Sequence, residues 1–501
     1  MKDWRQLGVA LWASAVVLAG MPASAADKVI GVYFTEWSVY DRNYHVTNLP
    51  ATQLTHVFYA FARPVCSTGT DTVHLELLDG YAATNKEYPG DSPEDPFWGS
   101  FNQLVKLKQR APHLKTLLSV GGWTDSDDFS DIAASSNARS TFAESCVTFV
   151  TNYGFDGVDL DWEYPVTGGE DGLKHRSADI TNFVFLVRDI RNAFDRLKQQ
   201  TGQDYLLTIA AAADPSSVST YYAVTNLLDS IDWFNLMTYD YTGPWDDHTG
   251  HEAAWAGNPA SPHPLLCASK AIEAFTNQGA PLTRLVCGLP FYGRGFKGVP
   301  ATNNGLFQTY SGVTDEGSWE AGAFDYGDLK NGTRGHAWID QNGFTRHWDS
   351  IAIAPYLYNP TSRLFVTYDD PESIQAKVTS VRQAGLKGVM VWSIDADTRD
   401  HELIGVIYNS LYPSGTNTFK FTAVALTNNV CLRWTDPTEC GWSNRIVLLR
   451  YSTFQHPSNT ADGAMCYTGP EQFFEHANLT PSQTYYYTIW ASHDGASFTN
   501  P

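Results

Sequence analysis

Eight short apolar runs recur along the first four fifths of the chain. They are Val29–Tyr33, Leu54–Phe61, Thr116–Val120, Gly157–Trp162, Tyr205–Ala211, Trp233–Met237, Leu285–Leu289 and Gly388–Trp392. Most are continuous rather than alternating, the pattern of strands buried on both faces of a parallel sheet. Between several of them, Ala138–Tyr153, Ile180–Gln199 and Ser373–Ala384 carry apolar residues at three-to-four spacing, which predicts amphipathic helices. This repeated alternation predicts an α/β fold, a (β/α)8 TIM barrel over residues 27–412. The periodicity taken alone also admits an open doubly wound sheet. The gap from Leu289 to Gly388 is too long for one crossover and has its own aromatic-rich texture. It predicts a small α+β insertion after strand 7, at about residues 297–367. A second long excursion, Arg63 to Leu114, follows strand 2.

The two ends differ from this middle. Lys2 and Arg5, an apolar run from Leu7 to Gly20 and Ala23-Ser24-Ala25 read as a signal peptide over residues 1–25, cleaved near Ala25. The run is too short for a membrane span, so the mature chain is expected to be soluble, secreted and extracellular. Residues 413–418 read as a linker. From residue 419 to 501 short alternating strands take over. Leu432-Arg433-Trp434 suits a core tryptophan, and Leu479-x-Pro481-x-x-x-Tyr485 suits a tyrosine corner. That stretch resembles an all-β fibronectin type III domain, with Trp434 and Tyr485 in its core.

Charge narrows the partners. With 33 Lys+Arg against 54 Asp+Glu, the net charge of −21 argues against nucleic acid and against anionic membranes. Aromatic residues reach 14%, either core or flat platforms of the kind sugar rings need. The seven cysteines are odd in number, so at least one is unpaired within a monomer. Cys431, Cys440 and Cys466 are placed for one disulfide whose pairing the spacing does not choose. No cysteine–histidine cluster has zinc spacing. His248 and His251 share a loop without a third ligand, so no metal and no cofactor is expected.

The chemistry concentrates in strand 4, Phe155-Asp156-Gly157-Val158-Asp159-Leu160-Asp161-Trp162-Glu163-Tyr164-Pro165. In a strand, residues i, i+2 and i+4 share a face, so Asp159, Asp161 and Glu163 line one side and Val158, Leu160 and Trp162 the other. In a barrel the acidic side is the interior, with Glu163 at the C-terminal rim. Two ionised neighbours about 7 Å apart repel by about 2 kcal/mol at an effective dielectric constant near 20. At least one carboxyl is therefore expected to keep a proton near neutral pH, as a general acid must. A divalent cation is the rival occupant, but carboxylates spread along one strand converge poorly on one ion. Asp156 points away from the interior and reads as structural support.

The run Asp156-Gly157-Val158-Asp159-Leu160-Asp161-Trp162-Glu163 resembles the D-x-x-D-x-D-x-E signature of glycoside hydrolase family 18, the chitinases. Ser119-Val120-Gly121-Gly122-Trp123, Met237-Thr238-Tyr239-Asp240-Tyr241, Tyr292-Gly293-Arg294 and Val391-Trp392-Ser393 resemble further motifs of that family in order and spacing. The predicted insertion resembles that of its deep-cleft members. The resemblance implies hydrolysis of β-1,4 bonds between N-acetylglucosamine units by a retaining, substrate-assisted mechanism. Glu163 would protonate the glycosidic oxygen and the substrate's acetamide oxygen would attack. Asp161 would orient the acetamide, with Asp159 behind it sharing a proton. Tyr239 would hold the acetamide carbonyl, Asp240 would contact the same sugar, Met237 would meet the methyl and Trp392 would form the floor. Tyr292 and Arg294 would line the cleft. Tyr33, Trp37, Trp123 and Trp245, at or just past strand ends, read as sugar platforms. Gly121 and Gly122 read as points of close backbone packing. The expected partners are chitin and its oligosaccharides, met by a monomer. An endo-β-N-acetylglucosaminidase acting on glycans, or a non-catalytic chitin-binding protein, are the alternatives.

Overall fold

The computed structural model describes residues 28–67 and 71–413. Beyond these it describes 420–425, 429–435, 446–453, 463–469, 473–480, 483, 485–492 and 498–499. The expected signal peptide, most of the linker, Cys440 and the side chains of Cys431 and Trp434 lie outside the described residues. The chain divides into a body over Ala26–Leu411 and a second one from Tyr412 onward.

Eight strands form the first body's centre: β1 (Val29–Thr35), β2 (His56–Ser67), β3 (Lys115–Gly121), β4 (Gly157–Asp161), β5 (Leu206–Ala212), β6 (Trp233–Met237), β7 (Leu285–Pro290) and β8 (Gly388–Trp392). Each pairs in parallel with its neighbours, and β1 pairs with both β2 and β8, so the sheet closes into a barrel. The helices α1 (Gly99–Arg110), α2 (Ser136–Tyr153), α3 (Asp179–Thr201), α4 (Ala268–Asn277), α5 (Pro371–Ala384) and α6 (Glu402–Leu411) lie between and after them. α5 starts where its sequence dictates. Asp370 accepts from the backbone N–H groups of Glu372 and Ser373, and Pro371 holds the first helical position. The pairing of β1 with β8 excludes the open-sheet alternative.

The chain leaves β7 directly into an antiparallel sheet whose strands run in the order Gly312–Val313, Tyr292–Lys297, Leu364–Thr367, Ala354–Asn359 and Thr345–Asp349. This sheet begins at Tyr292, ahead of the residue 297 expected. Gly293 and Gly295 interrupt the apolar pattern of its first strand and hide it from a hydrophobicity reading. Phe296, Val299, Leu306, Tyr356, Tyr358 and Phe365 make its core. After β2, the strand Thr72–Leu77 folds back antiparallel onto it before α1. Among the described residues no helix is long and apolar enough to cross a membrane.

In the second body, Lys420–Ala425, Val430–Thr435 and Phe473–His476 form one antiparallel sheet. Ile446–Ser452, Ala464–Gly469, Tyr486–Ser492 and Phe498–Thr499 form another. Leu432 from the first and Leu449 from the second are buried together, against Tyr467, Phe474 and Tyr487. The Tyr485 hydroxyl accepts from the Thr480 N–H at 2.9 Å. Cys66, Cys146, Cys267, Cys287 and Cys466 are unpaired.

Candidate active site

β4 carries the acids as its alternation requires. Val158, Leu160 and Trp162 are buried outward, and Trp162 stacks on Phe129 with ring centres 5.4 Å apart. Asp159 and Asp161 face inward and are buried, and Glu163 follows at the rim, half-buried. Asp156, on the outward side, is an ionic anchor. Lys108 and Lys115 approach it at 2.7 and 3.3 Å, and the Thr116 N–H donates to it at 2.9 Å. At Gly121 φ is +104°, and a Cβ there would stand 2.3 Å from the Asp161 carbonyl oxygen, so only glycine lets β3 approach the acids this closely.

The inward acids have unequal surroundings. Asp159 receives four hydrogen bonds, from Tyr33 Oη (2.8 Å), Ser119 Oγ (2.9 Å), Thr208 Oγ1 (2.5 Å) and Asn235 Nδ2 (3.1 Å). Both its oxygens are thus occupied by neutral donors, two each. Asp161 Oδ1, buried, has no hydrogen-bond partner at all. Burial raises Asp159 above the usual carboxyl range, against the lowering effect of its donors. Burial, with the charges of Glu163 and Asp159, pushes Asp161 well above that range. Burial, with a smaller effect of Asp240, pushes Glu163 up to about 7. Asp161 and Glu163 therefore retain at least one proton between them near neutral pH.

These acids open onto a cleft of about 890 Å³. Twelve of the thirteen residues expected at the site line it: Tyr33, Trp37, Trp123, Asp161, Glu163, Met237, Tyr239, Asp240, Trp245, Tyr292, Arg294 and Trp392. Asp159 lies behind them. Trp37, Trp123 and Trp245 are 43, 51 and 60% exposed along the cleft. Tyr33 does not act as the platform expected. It is 1% exposed, stacked on Phe58 at 4.9 Å, and its hydroxyl is spent on Asp159. Trp392 is seated between Tyr33 and Phe61, with ring centres at 5.4 and 5.6 Å. Tyr239 packs beside Met237 and Trp392 against the barrel core. A Cβ on Gly288 would stand 2.8 Å from the Tyr239 ring, so β7 leaves that ring its place. Asp240, at φ +57°, accepts from Tyr292 Oη at 2.9 Å and from Arg294 Nε at 2.7 Å. Arg294 in turn lies 5.0 Å from the Trp245 ring centre.

Residues 29–397 match the family model described as glycosyl hydrolases family 18. The chain belongs to that family. This family 18 chain is a glycoside hydrolase of the chitinase type. It is 39% identical over 432 residues to chitinase A1 of Niallia circulans, a match that covers 78% of the chain and 60% of that relative. It therefore spans less than two thirds of that relative's length. Among solved structures it superposes on chitinase ChiA74 from Bacillus thuringiensis with a TM-score of 0.72 and 32% identity. That match covers 95% of this chain and 84% of the other. A family 18 N-acetylglucosaminidase from Paenibacillus barengoltzii matches at TM-score 0.63 and 32% identity, over 76% of this chain and 99% of that one.

Several residues of the family 18 site escaped the sequence reading. Thr208 and Asn235 are the polar interruptions of otherwise apolar strands, a signal that points to an inward polar partner. Ser126 carried no such signal. Its Oγ accepts from the Glu163 N–H at 3.0 Å and donates to the Gly122 carbonyl at 2.8 Å, joining the loop after β3 to the end of β4. Glu252, a buried acid outside the cleft lining, also carried no signal in the sequence.

Proposed function

We propose that this enzyme hydrolyses β-1,4 bonds between N-acetylglucosamine units of chitin, with retention, through attack by the substrate's own acetamide. The observation that carries the reading is the unpartnered Asp161 Oδ1 beside a Glu163 that keeps a proton to about pH 7. Glu163 protonates the glycosidic oxygen. Asp161 Oδ1 accepts the acetamide N–H, which turns the acetamide oxygen toward the anomeric carbon and offsets the positive charge of the oxazolinium ion. Tyr239 holds the acetamide carbonyl and Met237 meets its methyl. Asp240, backed by Tyr292 and Arg294, contacts the same sugar. Trp392 forms the floor, and Trp37, Trp123 and Trp245 extend it along the cleft. Asp159, with four donors fixed on it, sets the field around Asp161. Water then attacks, with Glu163 as base. Holding the internal nucleophile in place removes much of the entropic barrier.

The catalytic body is read as residues 27–412, with the insertion forming one wall of the cleft. The N-terminal pattern supports export of the enzyme. The two packed sheets and the Tyr485–Thr480 bond support a fibronectin type III-like sandwich over residues 419–501, a spacer or surface-contact module. The exposed tryptophans along an open cleft favour a polymer over the glycan-core substrate of an endo-β-N-acetylglucosaminidase. The test is Glu163→Gln. Turnover of chitin oligomers is expected to fall by about 10³-fold or more with binding retained. Fully deacetylated chitosan and cellulose, lacking the acetamide, should resist the wild-type enzyme. Unchanged turnover in Glu163→Gln would sink the assignment, as would chitin bound by the wild type without sugar release.

A further inference from the structure

Behind the sugar-facing side of the cleft lies an acid that the reaction does not use. Glu252, in the loop between β6 and α4, is 1% exposed, and neither carboxyl oxygen holds a hydrogen bond of good geometry, although the Tyr292 hydroxyl lies within reach. Its backbone is fixed. The N–H donates to Thr367 Oγ1 at 3.0 Å, and the carbonyl accepts from the Tyr241 N–H at 2.9 Å. Thr367 is the cross-strand partner of Arg294 and Tyr241 follows Asp240, so Glu252 is held beside both, and Asp240, Arg294, Asp369 and Tyr292 all act on its carboxyl. The cations nearby are already committed. Arg294 reaches Asp240 at 2.7 and 2.5 Å, and Lys377 reaches Asp369 at 2.5 and 2.6 Å. An ionised Glu252 would be an unpaired buried charge facing two others, which is strongly unfavourable.

We propose that Glu252 is a neutral positioning residue that keeps Arg294 and Tyr292 engaged on Asp240. Burial, with the charges of Asp240 and Asp369, supports this by raising its pKa well above the usual carboxyl range, against the smaller lowering effects of Arg294 and Tyr292. The Tyr292 hydroxyl faces Glu252 but is turned to Asp240, so its oxygen still has a lone pair for the Glu252 O–H. A bond there gives a directed series, Glu252 to Tyr292 to Asp240, in which each donor polarises the next. Loss of the proton reverses the effect. The new carboxylate repels Asp240 and competes with it for Arg294.

The inference rests on Asp240 being a sugar contact, and the experiment separates the two. Binding of the N-acetylglucosamine tetramer to the full chain carrying Glu163→Gln is followed by tryptophan fluorescence from acid to alkaline pH. Affinity is expected to weaken by about tenfold or more toward alkaline pH. Adding Glu252→Gln, which keeps the neutral shape, should shrink that alkaline loss to about twofold and leave binding at mildly acid pH within about twofold. Tyr292→Phe in the Glu163→Gln background should weaken binding already at mildly acid pH, and Glu252→Gln should then add nothing. Superimposable pH curves with and without Glu252→Gln would overturn the proposal. So would a Glu252→Gln chain of unchanged circular dichroism that binds about tenfold more weakly at mildly acid pH. Unaltered affinity at every pH in Asp240→Asn would instead reject Asp240 as a sugar contact.

Discussion

Asp159, Asp161 and Glu163 are chemically near-identical groups on one strand face, and their neighbours make them different. Asp159 has four donors, Asp161 Oδ1 has none, and Glu163 is held near pH 7 mainly by burial. A general acid works only while protonated, so kcat/KM on a soluble chitin oligomer should fall as pH rises through about 7, by about tenfold per pH unit beyond it. The same shift carries a stability consequence. Between the ordinary 4.5 and about 7, the folded chain binds more protons at Glu163 than the unfolded chain does. Stability is therefore lost as pH rises through that window. Glu163→Gln should unfold at higher urea than wild type at about pH 8, by about 1–2 kcal/mol, and should lose that advantage at about pH 4. An equal difference at both values would show that ionisation of Glu163 is not its cause.

At the scale of elements, one arginine joins three segments that are far apart in the chain. Arg42, in the loop after β1, pairs with Asp325 of the insertion at 2.5 Å and with Asp395 just past β8 at 3.1 Å. Its guanidinium also lies 4.7 Å from the Trp319 ring centre, and Trp319 Nε1 donates to Asp325 at 2.7 Å. Asp395 is 1% exposed at its side chain, so removing Arg42 strands a buried charge. Arg42→Ala should cost about 3–5 kcal/mol in equilibrium urea unfolding, and Arg42→Lys should recover part of it. A cost below about 1 kcal/mol would mean that this junction behaves as an exposed surface pair.

For the molecule as a whole, the net charge of −21 meets a polymer that carries no charge. Electrostatic steering then contributes little. For a fully acetylated oligomer, kcat/KM should stay within about twofold between about 50 and 500 mM NaCl. A steep salt dependence would point to a charged substrate instead. The barrel was legible in the sequence because its strands are buried on both faces, which leaves near-continuous apolar runs at Val29, Trp233, Leu285 and Gly388. The inward line of Asp159, Asp161 and Glu163 was equally legible, because a strand's two-residue period needs no tertiary information. The glycine-broken strand Tyr292–Lys297 was not, since its partners at Leu364–Thr367 supply the pairing that its own composition hides. Nor could local pattern set which polar groups meet across the barrel. The donors on Asp159 come from four other strands, and Glu252 meets Tyr292 and Arg294 only through folding of the insertion. Strand period and burial, which are local, were determined by the sequence alone. Which carboxyl is satisfied, which is left bare and which keeps its proton was decided by residues distant in the chain, because those differences arise from contacts and desolvation that exist only once the barrel has closed.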